Sequence, residues 1–240
     1  MGFEHAVAAV LGDVLAETND RHVVDMGSGA GGIMPEVLTA LRARGGGLEE
    51  TRMTLSDRFP NREAIAVVDA LAVDGLDYLG IPVDATDLEG APEGVKTMIN
   101  SFHHLRPREA RAVLESAHAV KTPILIFELA DNRLPFLLWA VTLPLGLAIT
   151  FAFSLFLSPF VRPLTARQLF FTYVIPLVPL MYAWDGQASY PRIYGPADVP
   201  TLTAGLEDGY TWTSGDGRNH RGKRTGFYLL GKPTPASADQ

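Results

Sequence analysis

The chain has 240 residues, a formal net charge of −7 and 47% hydrophobic residues, which fits one sizeable α/β domain with room for an insertion. The acidic balance argues against a nucleic-acid backbone as the main partner, because phosphate binding needs a basic surface. No cysteine is present, which removes disulfides, thiolate nucleophiles and Cys-ligated zinc and fits a reducing compartment.

From the N-terminus, residues 3–17 place Phe3, Val7, Val10, Leu11 and Leu15 at helical spacing, and the acidic start does not read as a signal peptide. The stretch VVDMGSGAGG at 23–32 is the one around which the chain is organised. Val23 and Val24 suit a buried strand, Asp25 comes next, and Gly27, Gly29 and Gly31 stand at alternate positions with Gly32 beside them. Ile33, Val37, Leu38 and Leu41 then recur at helical spacing, predicting a helix to about Arg44. Strand, glycine turn, helix is how a Rossmann-like unit brings backbone N–H groups close to a ligand. An acidic strand end suits a ligand carrying a cationic amine and would repel a pyrophosphate. Another nucleotide or dinucleotide site and a purely structural turn are the alternatives.

RMTLSD at 52–57 reads as the second strand, with Asp57 placed for ribose hydroxyls and an exposed loop aspartate as the alternative. A helix over 61–71 has Asn61 as its N-cap. The third strand is expected at 79–84, with Asp84 and Ala85 at its carboxyl end. VKTMIN at 95–100 is the fourth strand and leads into SFHHL, after which Pro107 starts a helix. PILIFEL at 123–129 is apolar almost throughout, as a parallel strand covered on both faces should be.

Residues 134–161 then run for 28 positions without a formal charge, and 169–184 form a second uncharged run. Each is near the roughly 20 residues a helix needs to cross a bilayer. Pro144, Pro176 and Pro179 interrupt them. Three readings compete: a wall or lid for an apolar substrate channel, a membrane-associated or re-entrant hairpin, and a buried packing or dimerisation hairpin. Beyond it, a helix around 197–206 takes Pro200 in its first turn, and strands at 209–215 and 224–233 are joined by DGRN. NHRGKR at 219–224 reads as a charged turn rather than a nucleic-acid contact. The expected organisation is a cofactor-binding core at 1–133, an apolar helical hairpin at 134–184, the remainder of the catalytic domain at 185–232 and a flexible tail at 233–240.

Asp25–Gly31, Asp57, Asp84–Ala85, NSFHHL at 100–105 and FEL on the fifth strand come in the same order as in the class I S-adenosylmethionine-dependent methyltransferases, and roughly residues 20–130 resemble that superfamily. The resemblance implies an α/β fold: a Rossmann-like seven-stranded methyltransferase sheet with a hydrophobic helical insert between strands five and six. It implies S-adenosyl-L-methionine as cofactor, held by Asp25, Gly27, Ser28, Gly29, Gly31, Asp57, Asp84, Ala85 and Asn100. Asp25 would meet the amino group, Asp57 the ribose, and Asp84 or the Ala85 N–H the adenine edge. Asp185, Gly186, Ser189, Arg192 and Tyr194 form a DG-x-x-S-x-x-R-x-Y segment similar to one that comes after an apolar insert in a bacterial branch of the superfamily. The insert and the long spacing from Gly31 to Asp57 depart from compact members.

His103 and His104, just after the fourth strand, are the candidate catalytic residues, with packing or capping as the alternative for either. A base is needed only where the acceptor loses a proton as it reacts. Glu128, Arg192 and Tyr194 are the candidate substrate-binding residues; Glu128 would orient a polar acceptor or a histidine, or pair with an arginine. The histidines are scattered without a metal-ligand spacing, so no metal site is expected. The expected activity is methyl transfer to a lipophilic small molecule or membrane-associated metabolite. The expected location is cytoplasmic, including a peripheral or monotopic position at the inner face of the membrane, with contact through 134–184 and a second copy of the chain as a further candidate partner. A non-catalytic protein of the same fold that binds a lipid or a partner is the rival.

Overall fold

Short apolar strands alternating with helices of one apolar face demand a layered α/β arrangement. The computed structural model describes residues 2–129, 134–161 and 164–235. They fall into two compact units, Met1–Asp131 with Tyr194–Gln240, and Asn132–Ile193.

The first unit begins α1 (Phe3–Thr18), β1 (His22–Met26), α2 (Met34–Arg42), β2 (Arg52–Ser56), α3 (Arg62–Ala70), β3 (Leu76–Tyr78), β4 (Val95–Ile99), α4 (Pro107–Ala119) and β5 (Ile124–Glu128). The second contains α5 (Phe136–Leu157), α6 (Ala166–Leu169) and α7 (Leu177–Ser189). The chain then completes the first unit with α8 (Val199–Thr203), β6 (Tyr210–Arg218) and β7 (Arg224–Pro233). The seven strands form one sheet in the order β3-β2-β1-β4-β5-β7-β6. The first five are parallel, β7 runs antiparallel to β5, and β6 antiparallel to β7. Strand order reverses between β1 and β4, the switch point beyond which such sheets bind ligands.

Successive strand residues point to opposite faces, so each face has its own core. Val23, Leu125 and Phe127 pack with α1, α2 and α3, while Met26, Ile124 and Ile126 pack with α4 and α8. Asn61 caps α3 as expected, its side chain accepting the Glu63 N–H at 2.8 Å. Where β7 and β6 cross Phe127, the backbone comes too close for side chains. A Cβ on Gly226 would collide with the Glu128 carbonyl oxygen, and one on Gly217 with the Phe127 ring.

Three elements differ from the sequence expectation. The third strand lies at Leu76–Tyr78, not at 79–84. Leu76 and Tyr78 alternate into the core around an outward Asp77, whereas Ile81 is exposed and Pro82 has no N–H for the ladder. Asp84 and Ala85 therefore lie in a turn well past the strand end. The last hairpin does not turn at DGRN. β6 runs on through Gly217 and Arg218 with a bulge there, and Asn219 closes the turn by donating its N–H to the Lys223 carbonyl at 3.0 Å. NHRGKR is thus largely a turn. Finally, Asp185 and Gly186 do not open a new segment, because α7 continues through them to Ser189.

In the second unit, α5 keeps Pro144 in its interior and buries no residue. The return arm breaks. After α6 the chain makes a π-turn at Phe170–Val174, and the pieces Ala166–Val174 and Leu177–Arg192 meet at 76°. Pro176, which cannot donate to the preceding turn, sits at the break.

Gly226→Ala is expected to cost about 1–3 kcal/mol, the usual effect of forcing atoms into a filled space. Urea unfolding of the variant measures this, and an unchanged midpoint would mean that the β5–β7 crossing yields without strain.

Candidate functional site

The site is built where β1 ends. Asp25 is only 2% exposed. Its register partner on β4 is Thr97, whose hydroxyl donates to Oδ1 at 2.7 Å, while the Ser28 hydroxyl donates to Oδ2 at 2.6 Å. Burial is the main force on this carboxyl and pushes its pKa up to about 7, the two hydroxyls pull it down, and the nearby Asp57 charge adds to the rise. Among the described residues no cationic side chain forms a salt bridge with it.

For Ser28 to fold back onto Asp25 the chain must turn sharply, and Gly27 does so at φ 67°. A Cβ there would also press on Ser101 at 3.2 Å. Ser28 N–H donates to the Ser56 carbonyl at 3.0 Å and Gly31 N–H to the Ser28 carbonyl at 2.7 Å. Gly29, at φ 54°, has open space where a Cβ would stand. Its N–H donates to Asp57 Oδ2 at 2.9 Å, and its carbonyl accepts the Tyr78 hydroxyl at 2.8 Å. Asp57 Oδ1 accepts the Phe59 N–H at 2.8 Å.

These groups open onto a cavity of about 490 Å³ lined by Asp25, Gly27, Ser28, Gly29, Gly31, Asp57, Asn100, Ser101, His104 and apolar neighbours that include Ile99 and Leu129. That lies within the roughly 300–1,000 Å³ usual for ligand pockets. A larger depression of about 710 Å³, lined by residues such as His5, Ala40, Arg44 and His220, contains neither a buried acid nor the glycine turn. Chemistry, not volume, therefore selects the smaller one.

Beyond β4, Asn100 adopts φ 55°, uncommon for a residue with a side chain, and a 3-10 turn comes next at Phe102–His104. That turn sends neighbouring histidines to different places. His103 is 5% exposed and faces Glu128, which is 1% exposed. Its ring Nδ1 lies 2.7 Å from Glu128 Oε2, and its backbone N–H donates to Oε1 at 3.0 Å. With Glu128 Oε2 as the acceptor, Nδ1 carries the hydrogen of this bond, which leaves Nε2 as the ring nitrogen open to another partner. His104 is exposed and lines the cavity, its ring 4.3 Å from that of His103.

The remaining sequence candidates lie elsewhere. Asp84 and Ala85 do not line the cavity. Burial raises the Asp84 pKa, but hydrogen bonds from the Thr86 N–H and hydroxyl and the Arg58 guanidinium outweigh it and hold the carboxyl below its usual range. Tyr194 donates its hydroxyl to the Leu105 carbonyl at 2.9 Å and packs on Phe102 with ring centroids 5.2 Å apart. Arg192 belongs to the other unit, exposed in the turn Tyr190–Arg192. Sequence reasoning missed Thr97, Tyr78 and Ser101. A threonine in the middle of an otherwise buried strand was the available signal for Thr97.

No family model and no curated protein matches the chain. Solved structures do. The plantazolicin methyltransferase BpumL, in complex with a triazolic desmethylPZN analog and SAH, aligns over 98% of this chain and 85% of its own with a TM-score of 0.58 at 11% identity. The methyltransferase domain of bacterial CtHen1 aligns over 98% of this chain and 100% of its own with a TM-score of 0.55 at 10% identity. Human N-acetylserotonin methyltransferase in complex with SAM aligns over 95% of this chain and 51% of its own with a TM-score of 0.52 at 13% identity. The chain has the fold of the class I S-adenosylmethionine-dependent methyltransferases.

Folded Asp25 keeps its proton to about pH 7, whereas the unfolded residue releases it near 3.8. Between those values the folded state binds more protons, so stability falls as pH rises through that window. Asp25→Asn removes this penalty and is expected to be more stable than the parent by about 1–4 kcal/mol at pH 8, with the difference fading towards pH 4. Urea melts at the two pH values measure it.

Proposed function

We propose that the chain is an S-adenosylmethionine-dependent methyltransferase acting on a lipophilic small molecule or membrane-associated metabolite at the inner face of a membrane. The observation that carries the cofactor is Asp25, a buried acid without a salt-bridge partner among the described residues, beside a turn whose Gly29 leaves room for a ligand. The cofactor supplies an electrophilic methyl group on a positively charged sulfur. Asp25 in its ionised form holds the amino group of such a ligand. Asp57 retains lone pairs for ribose hydroxyls, since its two N–H bonds leave acceptor capacity. Ser28, Gly27, Gly31 and Asn100 shape the wall. Asp84 is committed to Thr86 and Arg58, while the Ala85 N–H has no protein acceptor among the described residues and suits an adenine edge.

Glu128 orients His103, whose Nε2 lone pair can take a proton from an acceptor hydroxyl or amine. His104, on the cavity wall, orients the acceptor. Tyr194 belongs to the acceptor side through its packing on Phe102. The uncharged helix α5, along which no residue is buried, supports a lipophilic acceptor.

Calorimetric titration with S-adenosylmethionine tests the cofactor. Because a cationic amine favours ionised Asp25, affinity should tighten roughly tenfold from pH 6 to 7.5, below the pH at which an α-amino group itself deprotonates near 7.7–8.0. Asp25→Asn should weaken binding at least tenfold in a folded protein, and absence of binding to the parent would remove the reading. Turnover is then measured as S-adenosylhomocysteine released with a panel of lipid-soluble alcohols, phenols and amines. Glu128→Gln should lower kcat by about 10- to 100-fold, within the range of general-base effects, while leaving cofactor affinity unchanged. Binding with no product across the panel would favour a non-catalytic lipid- or partner-binding protein.

A further inference from the structure

We infer that the α5–α7 hairpin is embedded in a lipid bilayer, with its polar groups turned inward and its hydrocarbon side chains facing lipid. The inference goes beyond the proposed activity and holds whether or not a methyl group is transferred.

The hairpin is packed inside out compared with a soluble protein. Along α5 the outward positions Leu137, Val141, Leu145, Ile149, Phe153 and Phe156 are all exposed. The opposite side carries Gly146, Thr150, Ser154 and Ser158, all less exposed and spaced four residues apart on one face. Across from them stands α7. A Cβ on Gly146 would meet the Gln187 carboxamide at 2.7 Å, and Gly186 lies against Thr150. Close approach through small and polar residues, with large apolar ones outside, is how helices pair in membranes, where lipid removes the hydrophobic drive between them.

Hydrogen bonding supports the same solvent. Thr142, Thr150, Ser154 and Ser158 each donate their hydroxyl to the carbonyl four residues earlier, at 2.8, 2.9, 2.9 and 2.7 Å. Tyr173 reaches across to the Leu155 carbonyl at 2.6 Å. Water would accept these hydroxyls as readily as the helix does. Hydrocarbon would not, so a hydroxyl placed there is stabilised by a partner within the helix.

The 22 residues of α5 reach about 33 Å at 1.5 Å per residue, against a hydrocarbon core of about 30 Å. On the return arm no charge occurs between Arg167 and Asp185, and Leu180, Met181, Tyr182 and Trp184 are exposed. A second protein copy is the weaker occupant. A protein interface covers one patch and keeps a polar rim, whereas here apolar side chains face outward along both arms.

The 240-residue chain, purified in detergent and exchanged into phosphatidylcholine vesicles, tests this by flotation. The protein should rise with the vesicles, and brominated phosphatidylcholine should quench the fluorescence of Trp139 and Trp184. A variant carrying Leu145→Glu, Ile149→Lys and Phe153→Glu keeps helix-compatible ion pairs at four-residue spacing. Its vesicle-bound fraction should fall at least tenfold while S-adenosylmethionine affinity is unchanged. A parent protein that stays unassociated with vesicles, as a monomer or a discrete dimer in detergent-free buffer, would overturn the inference. So would a variant that floats like the parent, or tryptophans untouched by brominated lipid. Flotation and quenching without cofactor binding would support the bilayer while removing the methyltransferase reading.

Discussion

The buried Asp25 carboxyl, stabilised by two hydroxyls and by no salt-bridging cation among the described residues, sets the terms for the ligand side of this molecule. Thr97 reaches it because β1 and β4 are paired in a register that puts those two residues side by side. Ser28 reaches it because Gly27 lets the chain turn back. Neither hydroxyl neutralises the acid, so once it ionises above about pH 7 the pocket has an unmet demand for positive charge in surroundings of low polarisability, where such a demand is strongest. The same turn sends the Gly29 N–H to Asp57, which ties the second strand's acid to the first strand's loop. Two carboxylates, one buried and one half-buried, thus face a single cavity from adjacent strands.

Much of this is legible in the sequence because it depends on local chemistry. Val23–Asp25 with alternate glycines behind it reads as strand and turn in any context, and Asn61 before Glu63 reads as a helix cap. Strand β5 is apolar on both faces almost to its end and announces itself. What cannot be read depends on distant partners. Thr97 matters only through its register with Asp25, 72 residues away in sequence. The third strand is misplaced by sequence reasoning because LGIPVD is more apolar than the residues around Leu76–Tyr78, yet pairing with β2 selects the earlier segment. His103 and His104 are indistinguishable in sequence, and only a turn of 3-10 helix assigns one to a buried carboxylate and the other to the cavity wall.

The two units obey opposite packing rules. The first removes apolar side chains from water on both faces of a sheet, as globular domains do. In the second, hydroxyls, glycines and a glutamine gather between the arms and the bulky side chains point away. Hydropathy alone registers the second unit as apolar but does not reveal which side of each helix is which. The four-residue repeat of Gly146, Thr150, Ser154 and Ser158 contains that information, and its meaning emerges only with α7 alongside.

The position of the apolar hairpin within the chain also constrains how the protein is made. β5 acquires its outer neighbour only when β7 arrives, and the hairpin is synthesised between them. A nascent chain therefore carries an apolar helical pair while one margin of its sheet is still bare, a state prone to pairing with other chains. Early capture of the hairpin would hold that half-finished sheet apart from its neighbours until the final strands close it, so biogenesis and the address of the protein would be decided by the same short stretch of chain.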